Sequence, residues 1–363
     1  MGDDRRRGGP ELKRPLGIGI VGAGRFAAFC ISAFEGLTEA RVVAVMDVER
    51  ARAEAIAPPG AAAYDGLEAL LDDPAVDIVH VGTPPYLHGP MAQRAAERGK
   101  HVFVEKPLAT TLDGARAALA AAERAGVRVS IDYVLRHHPL HRLAIELTRS
   151  GALGALQHFA LENFASSESL PPDHWFWNPE MSGGIHVEHG VHFFDLCLAL
   201  AEREPDAVSG SPQRRSDGRA DRASALLRFG DAMTASFYHS FNRTGATERT
   251  EIRLAFGRGH ATLSGWIPTR LDVEGRVRSE EVDILRTMFG QGFREITPSP
   301  GGRGGVAVAA VAERPDRQDE YRRAIRAGMA NLVAAITRDE KLEVTAEDGL
   351  RSLDVALRAS QDQ

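Results

Sequence analysis

Residues 16–21 read as a short apolar strand that runs directly into Gly22-Ala23-Gly24 and then into a helical stretch over residues 25–37. A strand of this kind is buried on both faces and needs helices to cover it, so the junction points to a parallel α/β sheet. Gly22 can make the tight turn, Gly24 keeps a Cβ out of the path of a pyrophosphate, and the small Ala27 lets the helix pack close to the strand. The amides that open the helix, beside Arg25 and Phe26, can then face negative phosphate. A bare glycine pattern is weak, and an ordinary glycine turn is the alternative. Here the strand precedes it and the helix follows, as the motif requires.

The pattern continues down the first half. Residues 42–46 form a second apolar run ending at Asp47, 25 residues after Gly22. A carboxylate there can accept both ribose hydroxyls of a dinucleotide and repels a 2′-phosphate, which favours NAD over NADP. Arg50 nearby partly compensates, and a plain surface aspartate is the alternative. Residues 77–81, 101–104 and 127–131 are strand-like, with helices expected over 89–98 and 112–125. Such alternation implies right-handed crossovers and helices on both faces. Thr83-Pro84, followed by His88, leaves one strand, and Glu105-Lys106-Pro107 leaves the next. Proline stops a strand, so these residues fall on the C-terminal rim where ligands of open α/β sheets gather. Lys106 is delivered to that rim, with a simple solvated lysine as the alternative.

Beyond residue 132 the period changes. A helix is expected over 141–149, a strand over 156–162, a helix over 183–200, and partly alternating strands over 224–229, 233–241, 251–256 and 260–265. These suit a largely antiparallel open sheet with helices on one face and the other free to meet a partner. A broad apolar face left bare is costly, so a homodimer or homotetramer is expected. Residues 281–314 have no clean period, and the glycine-rich run from Pro298 to Gly305 marks a flexible excursion. Helices over 320–336 and 348–360 close the chain, the second opening at Thr345 ahead of acidic residues. The chain thus divides into a loose polar tail (1–15), a dinucleotide-binding domain (16–132) and a substrate-binding and oligomerisation domain (133–363), whose last helices can return to the first domain.

The densest chemical clue is the stretch from Met181 to Asp195, which holds Glu188, His189, His192 and Asp195. On an α-helix Glu188 and His192 are four apart and Asp195 three further on, so the three share one face, where Asp195 can orient the imidazole. Hydride transfer from a secondary alcohol needs an acceptor for the hydroxyl proton and donors to the developing carbonyl. Lys106 and His192 are the natural proton-transfer groups, with Glu188 binding hydroxyls or tuning both. Histidines that merely decorate a packed helix are the alternative. No metal is expected, because His186, Glu188 and His189 lack the His-Glu-x-x-His spacing of a catalytic zinc site. Trp175 and Trp177 can stack on a sugar ring or belong to core, and Tyr133 and Arg136 lie where the chain leaves the first domain.

The whole chain narrows the classes further. With 363 residues, 43% hydrophobic and 26% charged, it is long enough for two cores. A net charge of -6 gives no basic footprint for nucleic acid. Two cysteines, Cys30 and Cys197, exclude a disulfide framework and read as buried thiols. No apolar run is long enough to span a membrane or serve as a signal core, so a cytoplasmic enzyme without a membrane partner is expected.

Taken together, Gly22-Ala23-Gly24, Thr83-Pro84 with His88, Glu105-Lys106-Pro107, Gly183-Gly184 and the run Gly190, His192, Asp195 resemble the glucose-fructose oxidoreductase, inositol dehydrogenase and MocA (Gfo/Idh/MocA) family. The resemblance implies a Rossmann domain followed by an α/β domain whose open sheet forms a dimer or tetramer interface. It implies that Lys106 is the cofactor- and substrate-contacting lysine, His192 the active-site histidine and His88 a cofactor-loop residue. Glu188 stands where these enzymes commonly carry aspartate, and Tyr133 is followed by Val134-Leu135-Arg136 in place of an asparagine-arginine pair. The implied activity is NAD(P)-dependent oxidation or reduction of a sugar, amino sugar or cyclitol. Two alternatives are a lyase, hydrolase or epimerase that retains its cofactor, and a non-enzymatic dinucleotide-responsive binding protein.

Overall fold

The computed structural model describes residues 14–296 and 305–361. The chain divides into two compact units, one running to Asp132 and including Ile325–Gly349, the other comprising Tyr133–Ala324 and the residues from Leu350 onward.

In the first unit β1 (Leu16–Val21), β2 (Ala40–Met46), β3 (Ala62–Tyr64), β4 (Ile78–Val81), β5 (His101–Val104) and β6 (Val129–Ile131) form one sheet in the order β3-β2-β1-β4-β5-β6. Every pairing is parallel. Five helices alternate with the strands: α1 (Arg25–Phe34), α2 (Arg50–Ile56), α3 (Leu67–Asp72), α4 (His88–Glu97) and α5 (Leu112–Ala125). All residues of β1 and β4 are buried, and apart from His80 in β4 both are apolar, as strands covered on both faces must be. Strand order reverses between β1 and β4, the position at which open α/β sheets hold ligands beyond the carboxyl ends of their strands. Thr111 caps α5 by accepting from the Gly114 amide at 3.1 Å, and Gly126, at φ 67°, ends it. Arg14, expected in a solvated tail, is bound to Asp77 through two hydrogen bonds of 2.7 and 3.1 Å. The rest of that tail, residues 1–13, lies outside the described residues.

The second unit holds a nine-stranded sheet built from β7 (Leu156–Ser166), β8 (Ala207–Arg214), β9 (Ala220–Phe229), β10 (Met233–Arg243), β11 (Arg249–Phe256), β12 (Gly259–Ser264), β13 (Arg270–Val277), β14 (Phe293–Ile296) and β15 (Val306–Glu313). Its order is β14-β15-β13-β12-β11-β7-β10-β9-β8, antiparallel except where β10 runs parallel to β7. The helices of this unit are α6 (Val134–His137), α7 (Pro139–Ser150), α8 (Pro179–Ser182), α9 (Val191–Ala201) and α10 (Val282–Phe289). Burial alternates along the central strands, and the inward side packs on α9 through contacts such as Phe194 on Phe237, ring centroids 4.7 Å apart.

The outward side differs from expectation. It carries Glu162, Ser224, Arg228, Thr234, Arg253 and Asp272 among partly buried neighbours, with Leu226, 52% exposed, as a bare apolar side chain. Phe164 and Tyr238 lie on the same side, ring centroids 5.6 Å apart, so the face is mixed and not the broad apolar surface expected. Residues 281–314 also contain more order than their pattern suggested, since α10, β14 and β15 occupy much of the stretch. Residues 297–304, the core of the expected glycine-rich excursion, lie outside the described residues. The chain ends with α11 (Arg317–Arg338) and α12 (Ala346–Ser360). At the head of α12, Thr345 and Asp348 exchange hydrogen bonds of 2.9 and 3.2 Å, a reciprocal cap. The return of Ile325–Gly349 to the first unit is fastened by Arg326 on the Ala33 carbonyl at 2.6 Å and Ser130 on the Val344 carbonyl at 3.0 Å.

Candidate functional site

In the first unit, Gly22 adopts φ 94°, and a Cβ added to it would lie 2.7 Å from the Gly82 carbonyl oxygen. Both facts demand glycine. Gly24 is different: nothing lies within 4 Å of where its Cβ would point, so the space in front of α1 is open. Among the described residues no side chain caps α1 and no acid occupies its first turn, which leaves its opening amides suited to an anion. Arg25 and Phe26 are exposed at this mouth, while Ala27 is buried against the sheet. At the end of β2 the Asp47 carboxylate accepts from the Ala23 amide at 2.8 Å and from the Glu49 amide at 3.0 Å. Each oxygen keeps a further lone pair, so the group is aimed and still able to receive ribose hydroxyls. Arg50, weighed as a counterweight to Asp47, is engaged with Glu54 at 2.9 Å.

On the same rim, His88 is buried, with Nδ1 2.7 Å from the Pro107 carbonyl oxygen and Nε2 2.7 Å from the Thr83 carbonyl oxygen. Burial holds the ring near 4, so a neutral imidazole donates to one carbonyl at a time. His88 thereby ties the loop carrying Thr83 and Pro84 to the loop carrying Glu105 and Lys106. Its position is that of a brace for both loops. Lys106 is half-buried and Thr83 and Pro84 partly so.

Behind Lys106 lies a buried polar cluster. His80 Nε2 is 3.5 Å from Glu105 Oε1, and Cys30 Sγ is 4.0 Å from the same oxygen. The buried Asp132 carboxyl is pushed well above its usual range, by burial and then by the Glu105 charge. Burial holds His80 near 4 and, with Glu105, raises the Cys30 thiol well above its ordinary value. Cys30, His80 and Glu105 offer ligand atoms within 4.8 Å of one another, but a thiol held protonated by its surroundings is a poor metal ligand. Cys197 is likewise buried, as a free thiol.

In the second unit, the expected continuous helix over 183–200 is broken. Gly183 and Gly184 are left-handed at φ 79° and 84°, residues His186–Gly190 form a π-helical turn, and only then does α9 begin. A π turn adds a residue per turn, so the 188–192–195 face is not that of an ideal α-helix. Glu188, His192 and Asp195 are nonetheless all buried. The carboxylate of Asp195 accepts from Arg136 at 3.1 Å, an arginine only 18% exposed, so Arg136 anchors this group from α6. Tyr133 is core: fully buried, it shares a 2.5 Å hydrogen bond with Ser352, and its ring meets His192 edge-on at 6.1 Å.

The aromatic wall at His192 is Trp266, which the sequence did not single out; the ring centroids are 4.7 Å apart. The same indole lies 5.3 Å from His189. Trp175 and Trp177 flank the buried Phe176 in a cluster with Ile185, Ala223 and Phe241. Trp177 donates to the Pro171 carbonyl at 3.1 Å, with the Arg215 guanidinium 5.1 Å from its ring. Trp266 follows a strand end some seventy residues from His192, and nothing in a linear pattern links them. His186, in the π turn, and His239, packed against it, are both buried; burial holds His186 near 4 and His239 well below its usual range.

Residues 16–133 match the family description "Oxidoreductase family, NAD-binding Rossmann fold" and residues 141–259 match "GFO/IDH/MocA C-terminal domain". Among curated proteins, the chain is 28% identical to scyllo-inositol 2-dehydrogenase (NAD(+)) of Bacillus subtilis over 76% of this chain and 78% of that protein. It is 31% identical to dTDP-3,4-didehydro-2,6-dideoxy-alpha-D-glucose 3-reductase of Streptomyces violaceoruber over 71% of each. Among solved structures, the WlbA dehydrogenase of Bordetella pertussis, crystallised with NADH and UDP-GlcNAcA, shares the fold with a TM-score of 0.76 at 20% identity over 97% of both chains. With its glycine turn, its braced lysine loop and these matches across both units, the chain belongs to the Gfo/Idh/MocA oxidoreductase family and is an NAD(P)-dependent dehydrogenase.

Proposed function

We propose that the protein moves a hydride between NAD and a secondary alcohol or carbonyl of a sugar, amino sugar or cyclitol. The observation that carries this reading is the buried His192 with the Trp266 indole against its ring, followed one turn later by Asp195, which Arg136 anchors. A carboxylate, an imidazole and an indole face are what a polyhydroxylated ring needs for recognition and deprotonation. The names of the relatives agree, since they act on a cyclitol and on a deoxysugar nucleotide.

Bound nicotinamide supplies the hydride acceptor or donor. In the oxidative direction His192 takes the hydroxyl proton, and Arg136 with Asp195 sets where the helix presents that ring. Lys106 donates to the developing carbonyl oxygen or passes the proton on. Glu188 binds neighbouring hydroxyls. Asp47, aimed by two amides, favours the unphosphorylated ribose of NAD. The first experiment follows absorbance at 340 nm with NAD or NADP and a panel of aldoses, amino sugars and cyclitols. A substrate-dependent rise with NAD supports the reading. Product formation without a rise, in protein that holds NAD, overturns net oxidation in favour of a cofactor-retaining reaction. Homodimer or homotetramer formation through the outer sheet face is part of the same proposal, and a monomeric mass by light scattering removes it.

A further inference from the structure

Beside His192 the second unit contains a cavity of ≈ 400 Å³ that none of the proposed roles uses. Trp266 and His189 both line it, and Trp266 also touches His192. One indole therefore stands next to the proposed reacting position and also forms a wall of a space large enough for a ligand. We propose that this cavity is a subsite for a second, uncharged sugar ring, so that the preferred substrate is a glycoside and not a free monosaccharide. This rests on the hydride-transfer reading above and specifies its substrate.

The lining chooses the ligand class. Trp266 offers a broad apolar face of the kind that covers the C–H side of a pyranose. Deeper in, Thr250 donates to Asn163 Oδ1 at 2.8 Å, both residues being buried. The Asn163 carboxamide nitrogen is buried and left without an acceptor among the described residues. The rim holds two acids, Glu248 and Glu251, against two bases, Arg249 and Arg317, and Arg249 is already engaged by Glu162 at 3.1 Å. Helix α11 starts at this rim with Asp319 and Glu320 in its first turn, and Asp316 accepts from the Asp319 amide at 2.9 Å. Those acids fill the helix end that a diphosphate would otherwise favour. A charge-balanced, amide- and hydroxyl-lined cavity with an indole wall fits a neutral polyol ring better than a nucleotide.

The test compares monosaccharides with disaccharides bearing the same reacting ring, glucose with maltose and cellobiose and galactose with lactose, as substrates of the NAD-loaded enzyme. Thr269→Phe obstructs the cavity from the loop after Trp266, and Ala165→Leu does so from the end of β7. In the wild type the disaccharide KM is expected to be about tenfold lower. Each obstruction should remove that advantage while monosaccharide kcat/KM stays within about twofold. Having two obstructing variants guards against one that does not fold. Equal KM for both ligand sizes, equal losses for both in the variants, or a preference for UDP-glucose overturns the subsite. Calorimetry with the same disaccharides separates this from failure of the hydride-transfer reading. Disaccharide binding abolished by Thr269→Phe, without turnover in the wild type, keeps the subsite and rejects the reaction; no disaccharide binding rejects the subsite.

Discussion

His88 illustrates how a single buried side chain can hold two loops together. Its two ring nitrogens sit between the carbonyls of Thr83 and Pro107, so removing it leaves two buried acceptors and frees two rim loops. His88→Ala is expected to cost about 1–3 kcal/mol of stability and to weaken NAD binding, measured by denaturation and by NADH fluorescence titration. His192→Ala has the opposite signature: kcat should fall by about 10²–10⁴ while NADH affinity is unchanged, as expected for loss of a proton acceptor. Unchanged kcat would remove His192 from catalysis. Lys106 belongs to the other compact unit, so a kinetic double-mutant cycle with Lys106→Met reads whether both residues act in one step. Residue chemistry pointed to His192 and Lys106, and the family resemblance to His88. It did not name Trp266 or the Asp195–Arg136 pair, because these depend on which turn and which helix fold back onto α9.

The strand-turn-helix element at the N-terminus separates two uses of glycine. Gly22→Ala forces an alanine to φ 94° and a Cβ to within 2.7 Å of a carbonyl oxygen, so it should destabilise the protein by about 1–3 kcal/mol. Gly24→Ala meets nothing within 4 Å and should leave the melting temperature nearly unchanged while weakening NAD binding about tenfold or more. A Gly24→Ala variant with normal NAD affinity would show that the pyrophosphate does not pass there. The π turn at His186–Gly190 was not legible, since its residues satisfy an α-helical pattern equally well. Its extra residue is set by packing, with His189 held between Trp266, Phe241 and His239 at 5.0–5.6 Å. Strand β8 was hidden for another reason. Gly210 and Pro212 argue against a strand, but β8 is an edge strand, where proline is tolerated.

At the scale of the whole molecule, buried neutral histidines make stability sensitive to acid. Burial holds His80, His88, His138 and His186 near 4, below the ordinary 6.5. Between those values the unfolded chain binds protons that the folded one refuses, so their contribution is present above pH 6.5 and is lost as pH falls toward 4. Each accounts for at most about 3 kcal/mol. Urea midpoints should be flat above pH 7 and fall steeply below 6.5. His138→Asn retains the cap acceptor for the Leu140 amide and should make that fall shallower; an unchanged slope would show that His138 does not contribute. The sequence by itself determined the parallel sheet, the glycine turn, the lysine loop and the largely antiparallel second sheet, because hydrophobic period and backbone-special residues act over a few neighbours. The tertiary structure alone decided the mixed outer face of the nine-stranded sheet, the return of Ile325–Gly349 to the first unit and the placing of Trp266 beside His192. These depend on contacts between residues tens to hundreds of positions apart, and no local pattern encodes which distant surfaces will meet.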